Sequence, residues 1–167
     1  MSKLRLEPMP LTAVAFSPYG DVIETTGNTP RSINQGTTQR YDDLARIDVG
    51  QDEGRPLLSV FVTQPQPLPL RITMIERHPL GSQAFVPLDE ADFLVVVAAP
   101  GDDPKSGDLR AFLARKGQGV NYAPGVWHHP VIALGHETRF LVIDRGGDDT
   151  NCDELQFGED EDILLER

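Results

Sequence analysis

Glu76, His78, Gln83 and His128 are the residues of this chain whose types and spacing could do chemistry. Glu76 and His78 are separated by one residue, so on a strand both side chains project from one face while Arg77 projects from the other. Gln83 follows after four intervening residues, and His128 closes the stretch Pro124-Gly125-Val126-Trp127-His128. Carboxylate, imidazole and amide oxygen can hold a metal ion. The same groups can instead serve as base, acid and hydrogen-bonding anchor for a small polar substrate. Imidazole with carboxylate suits zinc, nickel, manganese or iron comparably, so ligand type alone does not choose among a divalent ion of these kinds and no metal at all.

The elements that must position these residues read as strands. His78-Pro79-Leu80-Gly81 has proline second and glycine fourth, the pattern of a tight turn, which would let Gln83 begin a return strand beside the first. Prolines and glycines divide the chain into short segments rich in β-branched and aromatic residues. Strands are expected near Asp21–Glu24, Arg46–Asp48, Leu57–Thr63, Leu70–Glu76, Gln83–Pro87, Phe93–Ala99, Gly119–Tyr122, Val131–Leu134 and Arg139–Asp144. That number of short strands suits an all-β barrel or sandwich. Two segments read as short helices: Thr12–Phe16, which threonine could cap, and Asp108–Ala114, with an acidic start and Leu109, Phe112 and Leu113 on one side. The 167 residues are expected to form a single domain: N-terminal strands and a possible lid over 1–50, a barrel core over 51–145 and an acidic C-terminal tail over 146–167.

Composition narrows the partner. Lysine and arginine total 15 against 26 acidic residues, and a net charge of −11 repels nucleic acid and anionic membrane alike. A small molecule is the expected partner; if it is an anion, its pocket must hold local positive charge against that field. The single cysteine, Cys152, excludes an internal disulfide framework, and the longest apolar run, Phe93 to Pro100, is too short to cross a bilayer as a helix. The start of the chain has no apolar run of signal-peptide length, so the expected compartment is the cytoplasm.

Taken together, Glu76, His78 and Gln83 resemble the first cupin motif, with glutamate in place of the usual first histidine and glutamine in place of the usual glutamate, and Pro124, Gly125 and His128 resemble the second. The resemblance implies a cupin-type double-stranded β-helix, a jelly-roll barrel with one or two short helices. Further segments resemble the ureidoglycolate lyase family: Phe16-Ser17-Pro18-Tyr19-Gly20-Asp21-Val22-Ile23, Ile33-Asn34-Gln35-Gly36-Thr37, Met74-Ile75-Glu76-Arg77-His78-Pro79, Gly81-Ser82-Gln83-Ala84-Phe85, Gly119-Val120-Asn121-Tyr122 and Gly125-Val126-Trp127-His128-His129-Pro130. That resemblance implies a homodimeric enzyme of allantoin breakdown that eliminates urea from (S)-ureidoglycolate to leave glyoxylate.

On this reading Glu76, His78 and His128 are catalytic. Gln83, Asn34, Arg40 and Tyr122 contact substrate, and any metal is held by Glu76, His78, Gln83 and His128. Asn34 and Arg40 belong to a segment that could fold over the barrel mouth. Arg77 is expected to point outward into a salt bridge or subunit contact, and Trp127 to pack in the core or an interface. A metal-dependent cupin isomerase or dioxygenase acting on another small acid and a non-catalytic metabolite-binding cupin are the competing readings.

Overall fold

The computed structural model describes residues 2–166. Its strands in chain order are β1 (Ser2–Leu6), β2 (Met9–Pro10), β3 (Gly20–Ile23), β4 (Arg31–Ile33), β5 (Thr38–Arg40), β6 (Arg55–Thr63), β7 (Leu70–Arg71), β8 (Met74–Arg77) and β9 (Gln83–Pro87). They continue with β10 (Phe93–Ala98), β11 (Arg110–Ala114), β12 (Gly119–Tyr122), β13 (Trp127–His128), β14 (Ile132–Ala133), β15 (Thr138–Gly146), β16 (Asp153–Gln156) and β17 (Glu161–Leu165). One short helix, α1 (Ala13–Phe16), interrupts them; the Thr12 side chain accepts from the Ala15 amide and caps it. The all-β cupin expectation is borne out.

A seven-stranded sheet runs β16-β8-β13-β10-β11-β2, with β14 also on β10, and a five-stranded sheet runs β3-β12-β9-β15-β6. The chain's own alternation explains how they pack. In β10, Phe93, Val95 and Val97 join Phe85, Val120, Tyr122, Phe140 and Val142 of the other sheet in the barrel core. Leu94, Val96 and Ala98, on the opposite face, join Leu6, Ile72, Ile163 and Leu165 in a second core. All six residues of β10 are buried, which is why this strand reads as an unbroken apolar run. The second core is roofed by a three-stranded sheet, β1-β17-β7, in which β1 and β17 run parallel. The described part of the acidic tail thus packs through β16 and β17, with Ile163 and Leu165 fully buried.

Four expectations need correction. Asp108–Ala114 is not helical: after a 3-10 turn at Ser106–Asp108, β11 pairs antiparallel with β10 and parallel with β2. Its apolar residues are buried on both faces of the sheet, and over so few residues that pattern imitates a helical stripe. Arg46–Asp48 is not a strand; its backbone is held by side chains, the Arg46 amide donating to Asp21 and the Asp48 amide to Ser82 Oγ. Leu70–Glu76 is divided between β7 and β8, which belong to different sheets. The turn after His78 is present, yet β8 and β9 do not form a hairpin, since the turn carries the chain from one sheet to the other.

Replacing Ile163 with alanine should destabilise the protein by about 2–5 kcal/mol, the usual cost of an apolar cavity. Chemical denaturation measures it, and a change near zero would show that the C-terminal strands lie outside the cooperative unit.

Candidate active site

Backbone pairing brings the predicted residues together. His128 on β13 lies directly opposite Glu76 on β8, so both side chains leave the same face of the seven-stranded sheet. The β13 strand is aimed by the turn Ala123-Pro124-Gly125-Val126, closed by the Val126 amide on the Ala123 carbonyl. Gly125 takes φ +78° there, a conformation that favours glycine, and its amide donates to the His78 carbonyl. The Pro-Gly pair of the second motif is therefore what fastens it to the first.

Both histidines have their tautomer set by main chain. His78 Nδ1 lies 2.7 Å from the Asn151 carbonyl and His128 Nδ1 lies 3.1 Å from the Val126 carbonyl. A carbonyl only accepts, so each Nδ1 carries a hydrogen and each Nε2 is left to face the cluster. Both Nε2 atoms are buried without a hydrogen-bond partner and face Glu76 Oε1, at 3.9 Å from His78 and 3.6 Å from His128. The ligand atoms of Glu76, His78 and His128 lie within 4.8 Å of one another.

The electrostatics follow from this packing. Glu76 is held below the ordinary carboxylate range by the adjacent His128, against burial. His128 is pushed below the ordinary imidazole range by burial, which outweighs the pull of Glu76. Near neutrality Glu76 is therefore an ionised carboxylate beside the neutral imidazole of His128. Three possible ligand atoms converging on one point suit a divalent ion. Two bonds of about 2.1 Å span about 4.2 Å end to end, so the 3.6 and 3.9 Å pairs fit around one ion.

The opposite sheet supplies the facing wall. Tyr122 stacks on His128 with ring centroids 4.3 Å apart and planes within 9°. Its buried hydroxyl has no partner, and burial, then the Glu76 charge, raises its pKa so that it stays protonated. Gln83 sits directly opposite Tyr122 across the β9–β12 pairing, and its amide nitrogen donates to Asp144 Oδ2 at 3.2 Å. Gln83 is thereby left with its amide oxygen buried and unpaired.

Asn34 and Arg40 lie apart, on the β4–β5 hairpin, both exposed, with side chains engaged by Thr38 and Asp42. Arg77 points away as expected, stacked 4.7 Å from the Trp127 ring centroid and paired with Asp153, and Trp127 is core. Two contributors were not anticipated. Asn151, which orients His78 through its carbonyl and accepts from the Leu80 amide through Oδ1, gives no sequence signal. Asp144 does: in Phe140-Leu141-Val142-Ile143-Asp144 it shares parity with the two buried residues, which places a carboxylate on the inward face.

The family model of ureidoglycolate lyase matches residues 3–164. This chain belongs to the ureidoglycolate lyase family. Among curated members, the ureidoglycolate lyase of Azotobacter vinelandii is 55% identical over 158 residues, 95% of each chain. That of Burkholderia mallei is 55% identical over 159 residues, covering 95% of this chain and 92% of its own. The Pseudomonas aeruginosa family member is 52% identical over 166 residues, 99% and 97% of the two chains.

If this cluster is the family's reaction centre, His78→Ala and His128→Ala should each lower turnover at least about a hundredfold, the lower range for losing a general acid or base. Steady-state rates on folded variants check this, and near-normal activity in both would refute the assignment.

Proposed function

We propose that this chain acts as its family does, eliminating urea from ureidoglycolate to leave glyoxylate, a step of allantoin and purine breakdown, in the pocket of Glu76, His78, His128 and Tyr122. The convergence of the two Nε2 atoms on the Glu76 carboxylate carries the reading. Ureidoglycolate is a carbinolamide. Loss of the hydroxyl proton turns the O–H electron pair into the aldehyde C=O bond, and the C–N pair leaves with the ureido nitrogen, which takes up a proton. Water is not consumed. The proton acceptors face the hydroxyl from the seven-stranded sheet, and the protonated phenol of Tyr122 donates a hydrogen bond from the other.

The pocket must also hold a carboxylate in a protein of net charge −11. Of the candidate arginines, Arg40, Arg77 and Arg145 pair with Asp42, Asp153 and Asp149, and Arg55 stands at the start of β6 opposite Gly146. We assign Glu76, His78 and His128 as ligands of a divalent ion, zinc, nickel, manganese or iron, which would supply positive charge for the carboxylate and acidify the hydroxyl. Gln83 faces the cluster across the pocket with its oxygen free. Asn34 and Arg40 serve substrate only if the β4–β5 hairpin folds inward. Product analysis tests the reaction: glyoxylate with urea is expected, and ammonia with carbon dioxide, or no turnover, would refute it. Chelator-stripped protein should lose most activity and regain it with one of these ions; undiminished turnover by protein shown to be metal-free would refute the ion.

We also propose a homodimer built on β6, the edge of the five-stranded sheet. Its outward residues Leu58, Val60 and Val62 are 68, 55 and 56% exposed, and no charged residue lies between Leu57 and Thr63. Such an edge fits a second copy of itself across a two-fold axis, where strongly acidic chains can meet without opposing charges. No helix among the described residues is long and apolar enough to cross a membrane, and we place the enzyme in the cytoplasm. Light scattering should give a dimer for the native chain and a monomer for Val60→Lys; a native monomer at micromolar concentration would refute the interface.

A further inference from the structure

The wall opposite the histidines carries two unpaired acceptors. Gln83 Oε1 and Asp144 Oδ1 are both buried without a hydrogen-bond partner. Gln83 is 6% exposed, and its face is settled by pairing: Tyr122, directly opposite, stacks on His128. Asp144 follows Ile143, which pairs with Ala84, so it continues the same ladder beside Gln83. The amide orientation is fixed by chemistry, because a carboxylate can only accept; Gln83 must turn its NH2 to Asp144 Oδ2 and its oxygen away from it.

Acceptors left unmatched in a buried site are costly, at about 1–3 kcal/mol each, and are normally met by donors. Here the protein supplies none to these two atoms. The required ligand therefore bears N–H donors at the end that faces β9 and β15, while its acidic, oxygen-rich end faces Glu76, His78 and His128. A ureido group has that character, with two N–H bonds on its terminal nitrogen and one on the inner nitrogen, and its terminal NH2 can serve both acceptors.

We infer that Asp144 and Gln83 form the ureido-recognising subsite, with Asp144 the specificity-determining residue that selects a terminal NH2 over an isosteric methyl. The inference rests on the proposed reaction for its choice of substrate, but its geometry does not involve the reacting bonds. Asp144 acts by accepting from substrate, and Gln83 both accepts and, through its NH2, holds the Asp144 carboxylate in place.

Two stable acids separate the possibilities. N-carbamoylglycine carries the ureido group and the carboxylate, and N-acetylglycine replaces only the terminal NH2 by methyl. Calorimetric titration of the native protein should show N-carbamoylglycine binding at least about tenfold more tightly; equal affinities would overturn the inference. In Asp144→Asn, which sets an NH2 against the ligand's NH2, the preference should collapse while affinity for glyoxylate, which lacks the ureido group, is kept. A retained preference, or an equal loss of glyoxylate binding by folded variant, would overturn the role of Asp144. Should that variant not fold, Gln83→Met replaces it: a reduced preference supports the subsite and an unchanged one overturns it. Urea release by a native protein that binds the two acids equally would overturn this inference alone. Discriminating binding without turnover would overturn the reaction and leave the subsite standing.

Discussion

Burial of the Phe93–Ala98 strand on both faces is the constraint around which the molecule is arranged. One face needs a partner sheet, and the five-stranded sheet provides it by closing the barrel; the other needs a roof, and the first and last strands provide that together. The strands flanking it inherit their positions. Because β13 pairs with β10, with His128 opposite Val97, and β8 pairs with β13, His128 and Glu76 are carried on strands whose register descends from this apolar run. Packing energy spent on Phe93 to Ala98 thus reappears as the alignment of groups that do no packing themselves.

The site is a place where that packing logic is suspended. A cluster with two unpartnered imidazole nitrogens, a carboxylate, a phenol, an amide oxygen and a further carboxylate oxygen would be an expensive filling for a barrel core, and the same strands fill the rest of the barrel with phenylalanine and valine. The two walls are chemically unlike. The seven-stranded sheet presents a carboxylate and two imidazoles, whereas the five-stranded sheet presents a phenol beside an amide oxygen and a further carboxylate oxygen. That asymmetry suits a molecule whose two ends differ in the same way.

Most of the site was legible because alternation along strands is a local property. Gln83–Pro87 and Gly119–Tyr122 stand where periodicity placed them, and the two-residue spacing of Glu76 and His78, with the Pro-Gly turn before His128, marked the cluster. What stayed hidden depended on partners distant in sequence. Leu109, Phe112 and Leu113 have helical spacing, and only the presence of β10 on one side and β2 on the other makes Phe112 and Leu113 part of a strand. The turn after His78 has hairpin chemistry, yet Ser82 and Asp48 exchange hydrogen bonds that draw the chain toward the other sheet. Asn151 orients His78 from seventy-three positions away, through an atom that every residue possesses.

That last detail bears on how the protein tolerates genetic change. Both histidine tautomers are dictated by main-chain oxygens, at Val126 and Asn151, and no codon change at either position deletes a carbonyl. Variation can reach the tautomers only by rerouting the backbone. The side chains there matter through the path of the backbone, Val126 by its place in the core and Asn151 by holding the Leu80 amide, so inherited loss of orientation should arise from changes that move the chain, above all insertions, deletions and prolines.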